Sequence, residues 1–290
     1  MNKLNVAFIG LGVMGYPMAG HLSKQKNLSV TVYNRTSAKA KKWAEEYQGQ
    51  IAITPQEAAN GADIVFLCVG NDNDIREVTL LENGVLNSMK SGSVLVDHTT
   101  ASADIARELS HKCDENKVGF IDAPVSGGEA GAINGSLTIM CGGKDTDFDK
   151  IQNVMKAYSR YSKLLGEAGA GQLAKMMNQI CIAGVVQGLA EALQFGVNAG
   201  MDCEAVIEVI SKGAAGSWQM ENRHKTMLKD EYEHGFAVDW MRKDLAIALN
   251  EAKKNGSTLP LTSLVDQFYA DIQKMGGNRW DTSSLLKRLV

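Results

Sequence analysis

The chain has 290 residues, 44% hydrophobic and 22% charged, which is enough for two packed cores and excludes a disordered polymer. Thirty-three acidic against 30 basic residues leave a formal net charge of -3, with no block of Lys and Arg, so no nucleic-acid partner is expected. The five cysteines (Cys68, Cys113, Cys141, Cys181, Cys203) are scattered and odd in number, which points to reduced thiols. The histidines are equally dispersed, so no metal site is expected.

In chain order, the first half alternates short β-rich runs with helical patterns, the signature of a parallel sheet with right-handed crossover helices. The runs lie at 5–9, 29–33, 63–69, 93–97, 119–122 and 137–141, with helical patterns at 37–47 and 103–115 between them. Thr54-Pro55-Gln56-Glu57 reads as a capping box with proline at the first helical position. Residues 166–171 form a glycine-rich joint, after which β-branched runs disappear. From Gln172 the pattern predicts one mostly buried helix of roughly 25 residues, followed by helices at 203–211, 238–255 and 261–274. The expected architecture is an α/β Rossmann domain with a parallel sheet over 1–165, then an all-α domain over 166–290 that begins with a long interdomain helix.

The uncharged run after Lys3 is broken by Gly10, Gly12 and Gly15 and followed by Pro17, which makes it a poor signal peptide. The stretch 176–190 contains Asn178, Gln179 and Gln187 and is short for a bilayer span. A cytoplasmic location and no membrane partner are the expectation.

Gly10-Leu11-Gly12-Val13-Met14-Gly15 fits G-x-G-x-x-G between a strand and a helix-capable segment. There the first glycine makes a tight turn, the second lets a pyrophosphate approach the backbone, and the third lets helix and strand pack closely. The second strand then runs into Asn34-Arg35-Thr36. No carboxylate stands there to grip a ribose 2′-hydroxyl, while a guanidinium and a hydroxyl could receive a 2′-phosphate, so NADP is expected over NAD. Ser126, Gly127 and Gly128 follow the run 119–122 at a sheet edge, where a hydroxyl and flexible backbone N–H groups suit a carboxylate. Ser126 lacks the Gly-x-Ser-x-Gly elbow of a nucleophile. Lys175 is the only charged residue between Glu167 and Glu191, and Asn178 shares its helix face. A lone lysine in such a run suits proton exchange with a substrate oxygen.

Together these motifs resemble the β-hydroxyacid dehydrogenase family, whose members include 3-hydroxyisobutyrate dehydrogenases, tartronate semialdehyde reductases and glyoxylate/succinic semialdehyde reductases. The resemblance extends to Lys243-Asp244-Leu245 and covers essentially the whole chain. It implies a 6-phosphogluconate dehydrogenase-like fold and hydride transfer between a nicotinamide and a short hydroxy acid or semialdehyde. By that resemblance Ser126, Gly127 and Gly128 hold the substrate carboxylate, Asn178 orients the substrate and Lys175 exchanges the proton. Lys243, preceded by Phe236, would lie beside the cofactor, as would Thr100, Cys68 and Val69. Residues 213–218 resemble semialdehyde reductase-like members, which makes Trp218 a candidate wall of the substrate pocket. A homodimer or homotetramer is implied as well.

The chain departs from the common pattern at Gln179, where many members have a second asparagine, at Ala103, where a proline is common, and at 68–70, which lacks Leu-Pro. Two other readings share the scaffold. One is an imine reductase, against which the retained Lys175 counts. The other is a non-catalytic cofactor-binding module, disfavoured by Lys175 and the acidic net charge.

Overall fold

The computed structural model describes residues 3–290. Along the first strand, β1 (Leu4–Ile9), Val6 and Phe8 enter one apolar cluster while Ala7 and Ile9 enter another. Period-two alternation with both faces apolar demands cover on both sides of the sheet. The same division recurs in β4 (Ile64–Leu67) and β5 (Val94–Asp97), so two cores sandwich one sheet.

The remaining parallel strands are β2 (Leu28–Tyr33), β3 (Gln50–Ile51) and β6 (Gly119–Asp122). They give the order β3-β2-β1-β4-β5-β6 with parallel pairing throughout. The order reverses between β1 and β4, and ligands of such sheets bind outside the strand ends at that point. Between these strands run α1 (Gly15–Ser23), α2 (Ser37–Glu46), α3 (Pro55–Ala59), α4 (Asp72–Leu80) and α5 (Ala103–Glu115). The capping box is realised with its return bond one residue further back: Thr54 Oγ1 accepts from the Glu57 amide at 3.0 Å, and Glu57 accepts from the Ile53 amide rather than from that of Thr54, at 2.8 Å.

The far edge adds antiparallel pairing to the expected parallel sheet. The run predicted at 137–141 becomes β8 (Leu137–Gly143), antiparallel to β6 and to the short β7 (Val125–Ser126). Only α6 (Gly128–Ile133) separates β7 from β8, and so short a connection cannot make a parallel crossover. After α7 (Asp145–Met155) the chain adds β9 (Ser159–Leu164) alongside β8. Its outward Arg160, Tyr161 and Lys163 gave no apolar run to detect, and such charged residues suit an edge strand.

The predicted long helix is α8 (Ala170–Asn198), 29 residues. By length and composition it could cross a membrane, which the stretch 176–190 alone did not suggest. Yet Ala183, Val186, Leu189, Ala190 and Leu193 from this helix belong to the third apolar cluster. That cluster also takes Ile207 of α9 (Cys203–Ile210), Met220 of α10 (Trp218–Leu228), Leu245 of α11 (Val238–Asn255) and Tyr269 of α12 (Pro260–Lys274).

The chain resolves into two compact units, one ending at Lys175 and one beginning at Met176. This boundary lies beyond the glycine-rich joint because the first turns of α8 are hydrogen-bonded to the sheet: Asp122 accepts from the Gly169 and Gln172 amides at 2.8 Å each.

Candidate active site

The glycine turn separates three steric roles. Gly10 has φ +98°, and a Cβ there would sit 2.2 Å from the Cys68 carbonyl oxygen. A Cβ on Gly15 would sit 2.0 Å from the Gly10 carbonyl oxygen. These two glycines are therefore demanded by the protein's own backbone. A Cβ on Gly12, by contrast, would meet nothing within 4 Å. Gly12 thus borders open space at the start of α1, where its carbonyl accepts from the Tyr16 amide at 3.0 Å. Helix N-terminal amides with space for a close approach fit the pyrophosphate of a dinucleotide. The neighbouring Leu11 and Met14 turn inward while Val13 is exposed.

Asn34 closes this turn from the second strand end. Its Oδ1 accepts from the Leu11 amide at 2.8 Å, and its Nδ2 donates to the Thr36 carbonyl at 3.0 Å. Arg35 projects outward with its side chain 76% exposed. Thr36 precedes α2 without capping it through its hydroxyl.

Along β4 and β5 the structure gathers Cys68, Val69 and Thr100. The Cys68 amide donates to the Ile9 carbonyl at 2.9 Å, and the Val69 amide to Thr99 Oγ1 at 3.0 Å. Gln172 was not singled out from the sequence, yet its amide clasps the loop: Nε2 donates to the Thr99 carbonyl at 2.8 Å and Oε1 accepts from the Ala101 amide at 3.0 Å. Thr100 is thereby held from both sides. Asp72 adds a third tie, accepting from the Ser102 amide at 3.0 Å and from its hydroxyl at 2.6 Å.

Beneath this loop lie four buried titratable groups: His98, Tyr158, Asp97 and Asp122. His98 Nδ1 donates to the Ala123 carbonyl at 2.6 Å, so Nε2 accepts from the Tyr158 hydroxyl at 2.8 Å. Burial pushes the imidazole down to about 4, keeping it neutral. Asp97 and Asp122 are register partners on β5 and β6. Burial drives Asp97 up to about 7, opposed by hydrogen bonds from Thr99 and reinforced by the charges of Asp122 and Asp72. Its Oδ2 is buried with no hydrogen-bond partner, as suits a carboxyl that keeps its proton near neutrality. Burial raises Asp122 to about 6, against the pull of the Gly169 and Gln172 amides.

Those two amides belong to the start of α8, so Asp122 caps this helix from another element and opposes its N-terminal partial charge. Gly171 lets the helix lie against β6 and β8, since a Cβ would meet the Met140 carbonyl oxygen at 2.5 Å. One turn beyond Gln172, on the same face, stands Lys175, buried at 8% exposure. Ser126 ends β7 half-buried; Gly127 and Gly128 follow with φ +134° and +61°.

The second unit carries its own constellation. Asp244 is buried, and its Oδ2 accepts from Gln179 Nε2 at 2.7 Å. The amide's other end, Oε1, then accepts from Asn178 Nδ2 at 2.8 Å, fixing the plane of that carboxamide. Lys243 pairs with Asp244 Oδ1 at 3.2 Å. The Phe236 amide donates to buried Asp281 at 2.8 Å. Asp281 also holds Arg223 at 3.1 Å, whose guanidinium lies 4.9 Å from the Trp218 ring centroid. Trp218 remains 50% exposed. Among the described residues, no group of three or more potential ligands could hold a metal ion.

Residues 5–177 match the family described as the NAD binding domain of 6-phosphogluconate dehydrogenase. Residues 169–289 match the one described as NAD-binding of NADP-dependent 3-hydroxyisobutyrate dehydrogenase. An uncharacterized oxidoreductase of Shewanella frigidimarina is 64% identical across 98% of this chain and 97% of its own. The 2-(hydroxymethyl)glutarate dehydrogenase of Eubacterium barkeri is 35% identical across 98% of this chain and 94% of its own. The crystal structure of 3-hydroxyisobutyrate dehydrogenase from Salmonella typhimurium superposes with a TM-score of 0.86 at 28% identity, covering 99% of this chain and 100% of that one.

Two predictions follow the geometry. Gly12→Ala is expected to change stability by less than about 0.5 kcal/mol but to weaken dinucleotide binding at least about tenfold. Gly10→Ala and Gly15→Ala should instead lower stability by about 1–3 kcal/mol or more. Thermal melts and calorimetric titration distinguish the two classes, and unchanged cofactor affinity in Gly12→Ala would contradict the cradle.

The second concerns pH. Asp97 titrates at 3.8 when unperturbed and near 7 in the fold, so it costs nothing below the first value and progressively destabilises the fold between them. His98, lowered from 6.5 to about 4, has the opposite slope, losing stability as pH falls through that window. Asp97→Asn removes the first contribution alone. It should therefore melt higher than the parent at pH 8 and gain nothing near pH 4; an equal gain at both would refute the assignment.

Proposed function

We propose a reaction for this chain, which belongs to the 3-hydroxyisobutyrate dehydrogenase-like family of β-hydroxyacid dehydrogenases and is an NAD(P)-dependent oxidoreductase. It reversibly reduces a short semialdehyde bearing a carboxylate to the corresponding hydroxy acid, with NADPH preferred over NADH. The observation that carries the reading is Lys175, buried on the α8 face whose start Asp122 and Gln172 hold against the sheet.

The bound nicotinamide supplies or accepts the hydride at the carbonyl carbon. Lys175 gives a proton to the carbonyl oxygen as that oxygen becomes an alkoxide, and its charge stabilises the developing anion. The aldehyde thus gains one hydride and one proton and becomes a primary alcohol. In the opposite direction neutral Lys175 takes the hydroxyl proton. Ser126 Oγ and the amides of Gly127 and Gly128 receive the substrate carboxylate, and their flexible turn leaves room for it. Asn178, its carboxamide fixed through Gln179 and Asp244, orients the substrate. Fixing these groups beforehand avoids the entropy cost of aligning two solutes.

Gly10–Gly15 and Asn34 suit the adenosine and pyrophosphate portion, and Arg35 with Thr36 suits a 2′-phosphate. Cys68, Val69 and Thr100 border the cofactor in this reading, with Phe236 and Lys243 as further contacts and Trp218 as a pocket wall. The exposed Phe195 of α8 and Val209 of α9, at 73% and 72%, support a homodimer or homotetramer formed through the helical unit.

The purified chain is expected to scatter light as a dimer or tetramer. It should consume NADPH, followed at 340 nm, with C3 to C5 semialdehydes. Methyl esters of the same aldehydes should lose at least about 1.5 kcal/mol in kcat/KM, the scale of a hydrogen bond to a charged group. Equal use of acid and ester, or turnover only with cyclic imines, would overturn the substrate reading.

A further inference from the structure

Arg35 does not face solvent alone. Its Nη1 lies 3.5 Å from Asp74 Oδ1 and 3.9 Å from Glu77 Oε2, both on α4. Asp74 is itself fixed. Its backbone N–H donates to Asn71 Oδ1 at 3.0 Å, and its Oδ2 accepts from Asn71 Nδ2 at 3.2 Å. One guanidinium therefore meets two carboxylates, so the local sum of charge beside it is negative. This matters for a ligand that carries a phosphate. A 2′-phosphate brings about one and a half to two further negative charges, which must compete for Arg35 and approach Asp74 and Glu77 at the same time.

Resting on the cofactor reading above, we infer that Asp74 and Glu77 are specificity-determining residues: they hold Arg35 by its outer nitrogen and repel a 2′-phosphate, which narrows the gap between NADPH and NADH. In that reading the two acids face only the phosphate on the ribose, so NADH binding should be indifferent to them. The contacts are long, at 3.5 and 3.9 Å. Although Asp74 is only 26% exposed, Arg35 and Glu77 are 76% and 56% exposed, so a phosphate can displace them and they tune the preference without abolishing it. The influence is Coulombic across a solvated gap, and salt therefore weakens it.

The test measures the dissociation constants of NADP⁺ and NAD⁺ by calorimetry on the full chain, beside kcat/KM for NADPH and NADH. Asp74→Asn keeps the shape of the side chain and its Asn71 contact while removing the charge; Glu77→Gln removes the second charge from outside the capping turn. Each should raise the affinity ratio for NADP⁺ over NAD⁺ by up to about fivefold, the scale of an exposed ion pair, and the double variant by more. In an Arg35→Ala background most of the gain should persist at low salt, because repulsion remains, and shrink at 0.5 M salt. NAD⁺ affinity should stay within error in all of them.

An unchanged ratio in both single variants would overturn the inference, and so would a fall, since that would make the acids supports for Arg35. The cofactor reading fails separately: if Arg35→Ala leaves NADP⁺ affinity unchanged, Arg35 does not meet the phosphate. A rise in the ratio for Asp74→Asn together with a loss for Arg35→Ala supports both.

Discussion

The carboxylate of Asp122 is the constraint on which the proposed catalytic face depends. It stands at the end of a central strand and accepts two amides from the start of a helix that begins nearly fifty residues later. Removing it would leave those N–H groups buried without acceptors and free the helix to slide, at a cost of about 1–3 kcal/mol per group. The same pinned turn carries Gln172, whose single amide spans the loop on either side of Thr100. Lys175 follows on that face, so its position derives from β6 and from the loop after β5.

The buried polar groups below the loop divide the work among them. His98 is neutral and doubly hydrogen-bonded, and it stacks on Phe66 at 5.5 Å between ring centroids. It ties the end of β5 to the chain beyond β6 without adding charge. Burial raises both carboxyl groups; backbone amides offset it in part at Asp122, whereas Asp97 has no such partner at Oδ2. Two carboxyl groups in register on neighbouring strands are thus both raised by burial but set apart by their hydrogen bonding.

Local signals were legible in the sequence where their physics is local. The Thr54 capping box, the Gly10–Gly15 turn and the helix 238–255 need only neighbours in the chain, and each is realised in its expected element. Gln172 escaped because its partners lie 71 and 73 residues away and a buried glutamine carries no sequence mark of what it will clasp. The direction of β8 escaped for the same reason, since an apolar run states burial and not pairing. Composition marked the glycine-rich joint, whereas the compact unit extends to Lys175 because Asp122 holds the helix beyond that joint. Asp74 and Glu77 were invisible as partners of Arg35 because α4 itself was unannounced, its start resting on the Asn71 side chain.

The proposed chemistry rests on Lys175, and the most direct measurement is the turnover of folded Lys175→Ala beside its affinity for NADP⁺. Loss of the proposed proton donor should cut kcat by about a hundredfold or more, the usual scale for general acid–base catalysis. Dinucleotide affinity should be unchanged, because the residues proposed to hold the cofactor, Gly10–Gly15 and Arg35, are intact. Lys175→Arg should recover little, since a guanidinium does not release its proton near neutrality. A kcat near that of the parent, with the fold verified by circular dichroism, would contradict the assignment and return Lys175 to a structural role at the helix start.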